Sequence, residues 1–164
     1  MPVINSHDFK TPLNLVIADA TPERKFVRQL CERENAVRID AWLKNTPQRF
    51  YAIEYAWKKG EHPKRGEFSP DFFIKADDKI FVVEIKDDSE ISEPSPENIK
   101  KHEYAKDHFD RLNQWLQSDG DSVRYQFNFL TPRNYGMFFQ KLREKDLEGF
   151  RSEIDIALSK QGVS

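Results

Sequence analysis

One run constrains the fold of this chain more than any other: Ser69-Pro-Asp-Phe-Phe-Ile-Lys-Ala-Asp-Asp-Lys-Ile-Phe-Val-Val-Glu-Ile-Lys86. Phe72 to Ala76 and Lys79 to Lys86 carry strand-forming residues and flank Asp77-Asp78, a pair suited to a tight turn, so the spacing predicts a β-hairpin. With those two aspartates in the turn, Ala76 lies opposite Lys79 and, counting outward, Asp71 lies opposite Glu84. Cross-strand partners share a face with Cβ atoms roughly 5 Å apart, and the two-residue period of a strand puts Lys86 on that face as well. The other face collects Phe72, Ile74, Phe81, Val83 and Ile85. It is wholly apolar and therefore core, and a slip of one residue would turn Asp71 or Glu84 into it, which fixes the register.

The rest of the chain must cover that apolar face. Its 164 residues suit a single domain, and although 33% are charged, 13 Phe, 5 Tyr and 3 Trp are too many for a disordered chain. Thr21 and Pro22 open a predicted helix, Thr as N-cap and Pro at the first position, running to about Glu34. Phe50 to Trp57 reads as a strand with Tyr51, Ile53, Tyr55 and Trp57 on one side. A loop rich in Gly, Pro and cations follows from Lys58 to Glu67, and an acidic loop spans Asp87 to Pro96. Ser95-Pro96 repeats the N-cap signature and starts a long helix to about Gln117. Val123 to Leu130 reads as another strand. Polar helices from about Tyr135 to Lys145 and Glu148 to Lys160 close the chain. The expected fold class is α/β, a mixed central sheet flanked by helices, with a lead-in over 1–20, a core over 21–146, and a C-terminal helix and tail over 147–164.

Composition narrows the function classes. The single cysteine, Cys31, cannot form an internal disulfide, and no Cys/His spacing suggests a structural zinc site. The opening residues lack a basic stretch followed by an apolar one, and no apolar run is long enough to span a bilayer. A reducing, cytoplasmic setting without membrane contact is expected. The formal charge of −2 offers no global attraction to nucleic acid, so such binding would need a local patch. The segment from Trp57 to Arg65 supplies one, with Lys58, Lys59, Lys64 and Arg65 set against Glu61.

Two carboxylates placed opposite each other repel, so Asp71 and Glu84 call for positive charge. Lys86 supplies one cation, and a divalent ion between the two acids would supply more. Mg²⁺ typically takes one or two protein carboxylates and keeps waters and a substrate phosphate oxygen. It renders bound water more acidic and stabilises charge on a phosphate, and Lys86 could orient the water or assist deprotonation. The competing reading is a solvated strand edge, because Glu-Ile-Lys is common on exposed strands.

Pro70-Asp71, twelve intervening residues, then Glu84-Ile85-Lys86 resembles the PD-(D/E)xK nuclease signature. The flanks, Pro22-Glu-Arg-Lys-Phe26 with Leu30, Ala41-Trp-Leu-Lys-Asn45, Phe50 with Ile53 and Tyr55, and Glu97-Asn98 with Lys101, Tyr104-Ala105 and His108-Phe109, resemble the endonuclease domain of type III restriction subunits and related helicase-nucleases. The similarity runs from about Pro22 to Phe139. It implies a restriction-endonuclease-like fold and Mg²⁺-dependent DNA cleavage, with Mn²⁺ as a substitute, in a restriction or phage-defence setting. It further implies that Asp71 and Glu84 hold the metal with the backbone carbonyl of Ile85, that Lys86 works near the attacking water, and that Glu23 completes the site from a helix. One departure is Asp87, where such domains often carry Gly.

Other positions have two readings each. Glu23 leads the stripe of Phe26, Val27, Leu30 and Cys31, but an acid in a first turn also complements the helix dipole. Lys101, near the start of the long helix, suits a phosphate, or its stem covers apolar surface. His108 reads as a core histidine. No GxxxxGK[ST] loop is present, so a helicase/ATPase or recognition subunit or domain is an expected partner beside DNA, and a homodimer stays open. The rival from another class is a noncatalytic DNA-binding or assembly module that keeps the nuclease fold.

Overall fold

The computed structural model describes residues 10–12, 16–18, 20–45, 50–59 and 62–161, with the side chains of 57–59 left aside. Helix α1 (Thr21–Cys31) begins one residue earlier than the Thr-Pro signal predicts. Ala20 is the N-cap and makes no side-chain cap bond. The helix also stops sooner, because the backbone of Glu32 turns extended before a single further turn, α2 (Arg33–Ala36). Strand β1 (Ala41–Lys44) follows, then β2 (Ile53–Lys59) and β3 (His62–Phe68), then β4 (Phe72–Ala76) and β5 (Lys79–Ile85). A short turn α3 (Ser89–Ser92) leads into the long helix α4 (Pro96–Ser118), whose N-cap Ser95 accepts a hydrogen bond from the Asn98 N–H at 3.2 Å. Strand β6 (Arg124–Leu130) and helices α5 (Tyr135–Glu144) and α6 (Glu153–Gln161) complete the order.

The β4–β5 hairpin has the register that the sequence predicts, with Ala76 opposite Lys79 and Phe72 opposite Val83. Asp77 adopts a positive φ of 54°, a conformation that Asp tolerates better than most residues. Around the hairpin the sheet runs β1-β4-β5-β6, antiparallel except for the β5–β6 pair. The fold is thus mixed α/β, with a mixed sheet flanked by helices.

Two parts of the sequence reading are overturned. One edge strand of the sheet is β1, whereas the strand expected from Phe50 to Trp57 begins at Ile53 and lies in a separate two-stranded sheet. Its partner β3 occupies the segment read as a loop from Lys58 to Glu67, with Glu54 opposite Glu67 and Ala56 opposite Arg65. The sequence HPKRGEF lacks β-branched residues and carries Pro and Gly, and cross-strand pairing with β2 overrides that low propensity.

Both faces of the sheet are covered. Phe26 of α1 sits 5.0 Å from Phe72 and 5.2 Å from both Tyr135 and Phe139, ring centre to ring centre. Deleting a buried ring of this kind costs roughly 3–5 kcal/mol. Helix α5, read as polar, in fact buries Tyr135, Phe138, Phe139 and Leu142. On the opposite face Val82 packs with Ala105 and Phe109 of α4 and with Ile53, Tyr55 and Phe68 of the β2–β3 hairpin. Helix α6 closes over Phe129 through Ile154 and Leu158. Among the described residues, no helix is long and apolar enough to cross a membrane.

Candidate active site

At one end of the sheet β1 and β5 finish, β4 starts, and α1 and α4 begin nearby. Asp71 stands one residue before β4, and Glu84 is the penultimate residue of β5. The β4–β5 ladder ends at Phe72 and Val83, so Asp71 and Glu84 occupy the next opposed position beyond it. There the Asp71 side chain takes over from the missing strand bond, and its Oδ2 accepts from the Ile85 N–H at 2.7 Å. The Lys86 N–H donates to the Leu130 carbonyl at 2.8 Å. By strand alternation the Ile85 carbonyl therefore faces the β4 side, past the start of that strand.

The solvated-edge alternative fails on position. Strand β5 lies between β4 and β6, and Glu84 is only 6% exposed. Lys86 Nζ stands 2.9 Å from Glu84 Oε1, while Glu84 Oε2 is buried and makes no hydrogen bond with any described residue. Buried polar atoms are normally satisfied, so this oxygen calls for a partner. Asn45 Oδ1, Ser69 Oγ and Thr131 Oγ1 are also buried without a hydrogen bond to any described residue. Each belongs to the same end of the sheet. The Asn45 N–H donates to the Asp71 carbonyl, Ser69 stands two residues before Asp71, and Thr131 directly follows β6.

The charges interact. Burial, then the neighbouring Glu84, pushes the Asp71 carboxyl up to about 8. Burial also raises Glu84 above the usual carboxylate range despite its contact with Lys86. For Lys86, burial acts to lower the ammonium, but Glu84 outweighs it and holds Lys86 above its ordinary value. Glu23 faces both acids closely enough to raise each of them. Its Oε2 stands 3.2 Å from Lys44 Nζ.

Lys101 lies on α4 and helps to lower Glu84. It is not a free cation, since its Nζ pairs with Glu97 Oε1 at 2.9 Å and lies 5.5 Å from the centre of the Tyr55 ring. The Tyr55 hydroxyl donates to that same Glu97 oxygen at 2.7 Å. These bonds hold the Glu97 carboxyl below the usual range. Tyr135 contributes from α5, its hydroxyl donating to the Pro22 carbonyl at 3.0 Å and tying down the start of α1 next to Glu23.

Of the residues singled out in the sequence, Asp71, Glu84, Lys86, Glu23 and Lys101 thus meet at one end of the sheet. Lys64 and Arg65 lie exposed on β3, Arg65 opposite Ala56, whereas the side chains of Lys58 and Lys59 lie outside the described ones. Asp87 turns to accept from the Ser89 N–H at 3.1 Å, which draws its carboxylate into the following turn. His108 is half-buried, its ring pressed edge-on against Tyr51, and Nε2 is 2.5 Å from the Tyr51 hydroxyl. Lys44, Tyr55, Glu97 and Tyr135 were not predicted as site residues. Lys44 ends the four-residue strand that the sequence reading passes over.

A divalent ion is compatible with this donor set. Asp71 and Glu84 oppose each other, and an orphaned carboxylate oxygen is available on Glu84. No three His, Cys, Asp or Glu side chains form a metal cluster among the described residues, so an ion would rest on two carboxylates, backbone, water and substrate, as Mg²⁺ commonly does. No protein-family model, no curated protein and no solved structure matches this chain.

Proposed function

We propose that this chain is a Mg²⁺-dependent endonuclease domain with a PD-(D/E)xK fold, which hydrolyses phosphodiester bonds in DNA. The observation that carries the reading is the opposed pair Asp71 and Glu84 at a sheet end, with Lys86 on one Glu84 oxygen and the other oxygen without a partner. Asp71, Glu84 and the Ile85 carbonyl would hold the ion, and Glu23 would add its charge beside them from α1. When bound, Mg²⁺ or Mn²⁺ supplies an acidic water and charge stabilisation at the phosphate. Lys86 donates hydrogen bonds to the water or the scissile phosphate and keeps either in place. Lys58, Lys59, Lys64 and Arg65 on the hairpin contact the DNA backbone, with Lys101 nearer the cut. Phosphate contacts position a protein without specifying sequence, so a helicase/ATPase or recognition subunit directs cleavage in a restriction or phage-defence system.

The test is cleavage of plasmid DNA by the purified chain in Mg²⁺, in Mn²⁺ and in EDTA. Cutting should require the metal and fall at least about 100-fold in Asp71→Asn, Glu84→Gln or Lys86→Ala, the scale of a positioned catalytic group. Metal-dependent cutting by the folded Asp71→Asn and Glu84→Gln variants at the wild-type rate would sink the assignment. DNA binding with no cleavage under any metal would favour the noncatalytic module.

A further inference from the structure

Lys44 is a cation at this end of the sheet to which the proposed chemistry assigns no task. It closes β1 opposite Phe72, one residue from Asp71, and its Nζ lies 5.6 Å from the centre of the Phe72 ring. Its side chain is 13% exposed and that of its partner Glu23 is 16% exposed. Glu23 Oε2, the oxygen nearest Lys44 Nζ, is buried without a hydrogen bond to any described residue. Charge alone therefore holds the pair, with no directional bond to lock it. A partly buried ion pair of this sort is a poor way to join a helix to a strand, since apolar side chains of similar volume commonly do so at least as well.

Resting on the metal-dependent reading above, we propose that Lys44 is a positioning residue, a built-in counter-ion that keeps the Glu23 carboxylate facing Asp71 and Glu84 and moderates the site's attraction for a divalent cation. Three lysines share this task around the acids. Lys86 takes Glu84, Lys101 takes Glu97, and Lys44 takes Glu23. Asp71 accepts from the Ile85 N–H, and Lys44 is close enough to act on its carboxyl too. A divalent ion held by Asp71 and Glu84 would draw on the nearby Glu23 charge and so compete with Lys44 for it, and the Lys44 ammonium would stay beside the site, where a substrate phosphate would meet it. Lys44 thus weakens metal binding in the absence of substrate and favours it once a phosphate is present.

The experiment is calorimetric titration of Mn²⁺ into the full chain without DNA, for the wild type, Lys44→Met, Lys44→Arg and Glu23→Gln/Lys44→Met, with folding checked by circular dichroism. Removing a positive charge near a divalent site should tighten Mn²⁺ binding about tenfold in Lys44→Met. Lys44→Arg should stay near the wild type, and the double variant should show no such tightening because Glu23 is then neutral. Lys44→Gln replaces Lys44→Met should the latter not fold. A folded Lys44→Met or Lys44→Gln protein whose Mn²⁺ affinity is unchanged or weaker would overturn the inference and leave only a structural salt bridge. Wild-type protein that binds no Mn²⁺, or binds it as well after Asp71→Asn, would overturn the metal-dependent reading and this inference with it.

Discussion

Asp71 is the residue on which the chemistry of the site turns, and its burial has a consequence for stability. An aspartate free in the unfolded chain titrates near pH 4, whereas in the fold burial and Glu84 push it up to about 8. Between those values the native protein keeps a proton that the unfolded chain releases. The unfolded state then binds fewer protons, and stability falls as the pH rises. Glu84, raised by its own burial, acts in the same direction. In EDTA, Asp71→Asn should therefore gain on the wild type in urea midpoint as the pH is raised from about 5 to about 8, a window set by the shifted carboxyl. A constant difference between the two proteins across that range would show that Asp71 ionises normally. The opposed acids were legible because Asp77-Asp78 fixes the register, and a register carries every pair outward from its turn. Lys44 was not, because its role depends on which strand lies beside β4, and four residues with one lysine give no periodicity to read.

At the scale of elements, the β2–β3 hairpin was the hardest to foresee and has the clearest consequence for binding. Pro63, Gly66 and a run of charges read as a loop, yet pairing with β2 and packing of Ile53, Tyr55 and Phe68 against α4 hold the segment extended. Gly66 is needed there, since a Cβ at that position would come within 2.9 Å of the Tyr55 ring. The hairpin thus does two things, presenting Lys64 and Arg65 at the surface and holding the Tyr55 hydroxyl on Glu97 beside Lys101. Neutralising Lys58, Lys59, Lys64 and Arg65 together should weaken DNA binding and flatten its salt dependence by about 0.9 in logarithmic slope for each phosphate that the hairpin ceases to neutralise. An unchanged slope would mean that the hairpin cations are solvated surface. Long elements such as α4 were legible because Ser95-Pro96 caps the start and the helical period persists over many residues, but such signals say little about which sheet a short strand joins.

Across the whole molecule, stability and chemistry meet at the C-terminal end of β6, where Phe129 pairs with Glu84. Its C-terminal residue Leu130 anchors Lys86 at the site, while its outer edge is closed by the segment that follows α5. Asp155 of α6 is 2% exposed and gathers bonds from several elements. The Phe129 N–H donates to its Oδ1 at 2.9 Å, and Asn128 Nδ2 and the Ser152 N–H donate to its Oδ2 at 2.7 and 3.1 Å. His102 of α4 stands 3.4 Å from the same carboxylate. Ser152 returns the bond, its Oγ accepting from the Asp155 N–H, so that one residue completes a reciprocal helix cap and also seals a sheet edge. The Ser-x-x-Asp spacing at residues 152–155 signals such a cap, but nothing in the sequence shows that its acid reaches back to β6. Asp155→Ala would leave buried donors on Phe129, Asn128 and Ser152 without their acceptor. The expected loss is roughly 3–5 kcal/mol, the cost of breaking a buried hydrogen-bonded charge network, read as a lower urea midpoint with the transition still cooperative. A loss below about 1 kcal/mol, no more than a single ordinary hydrogen bond, would show that the carboxylate is dispensable to the fold.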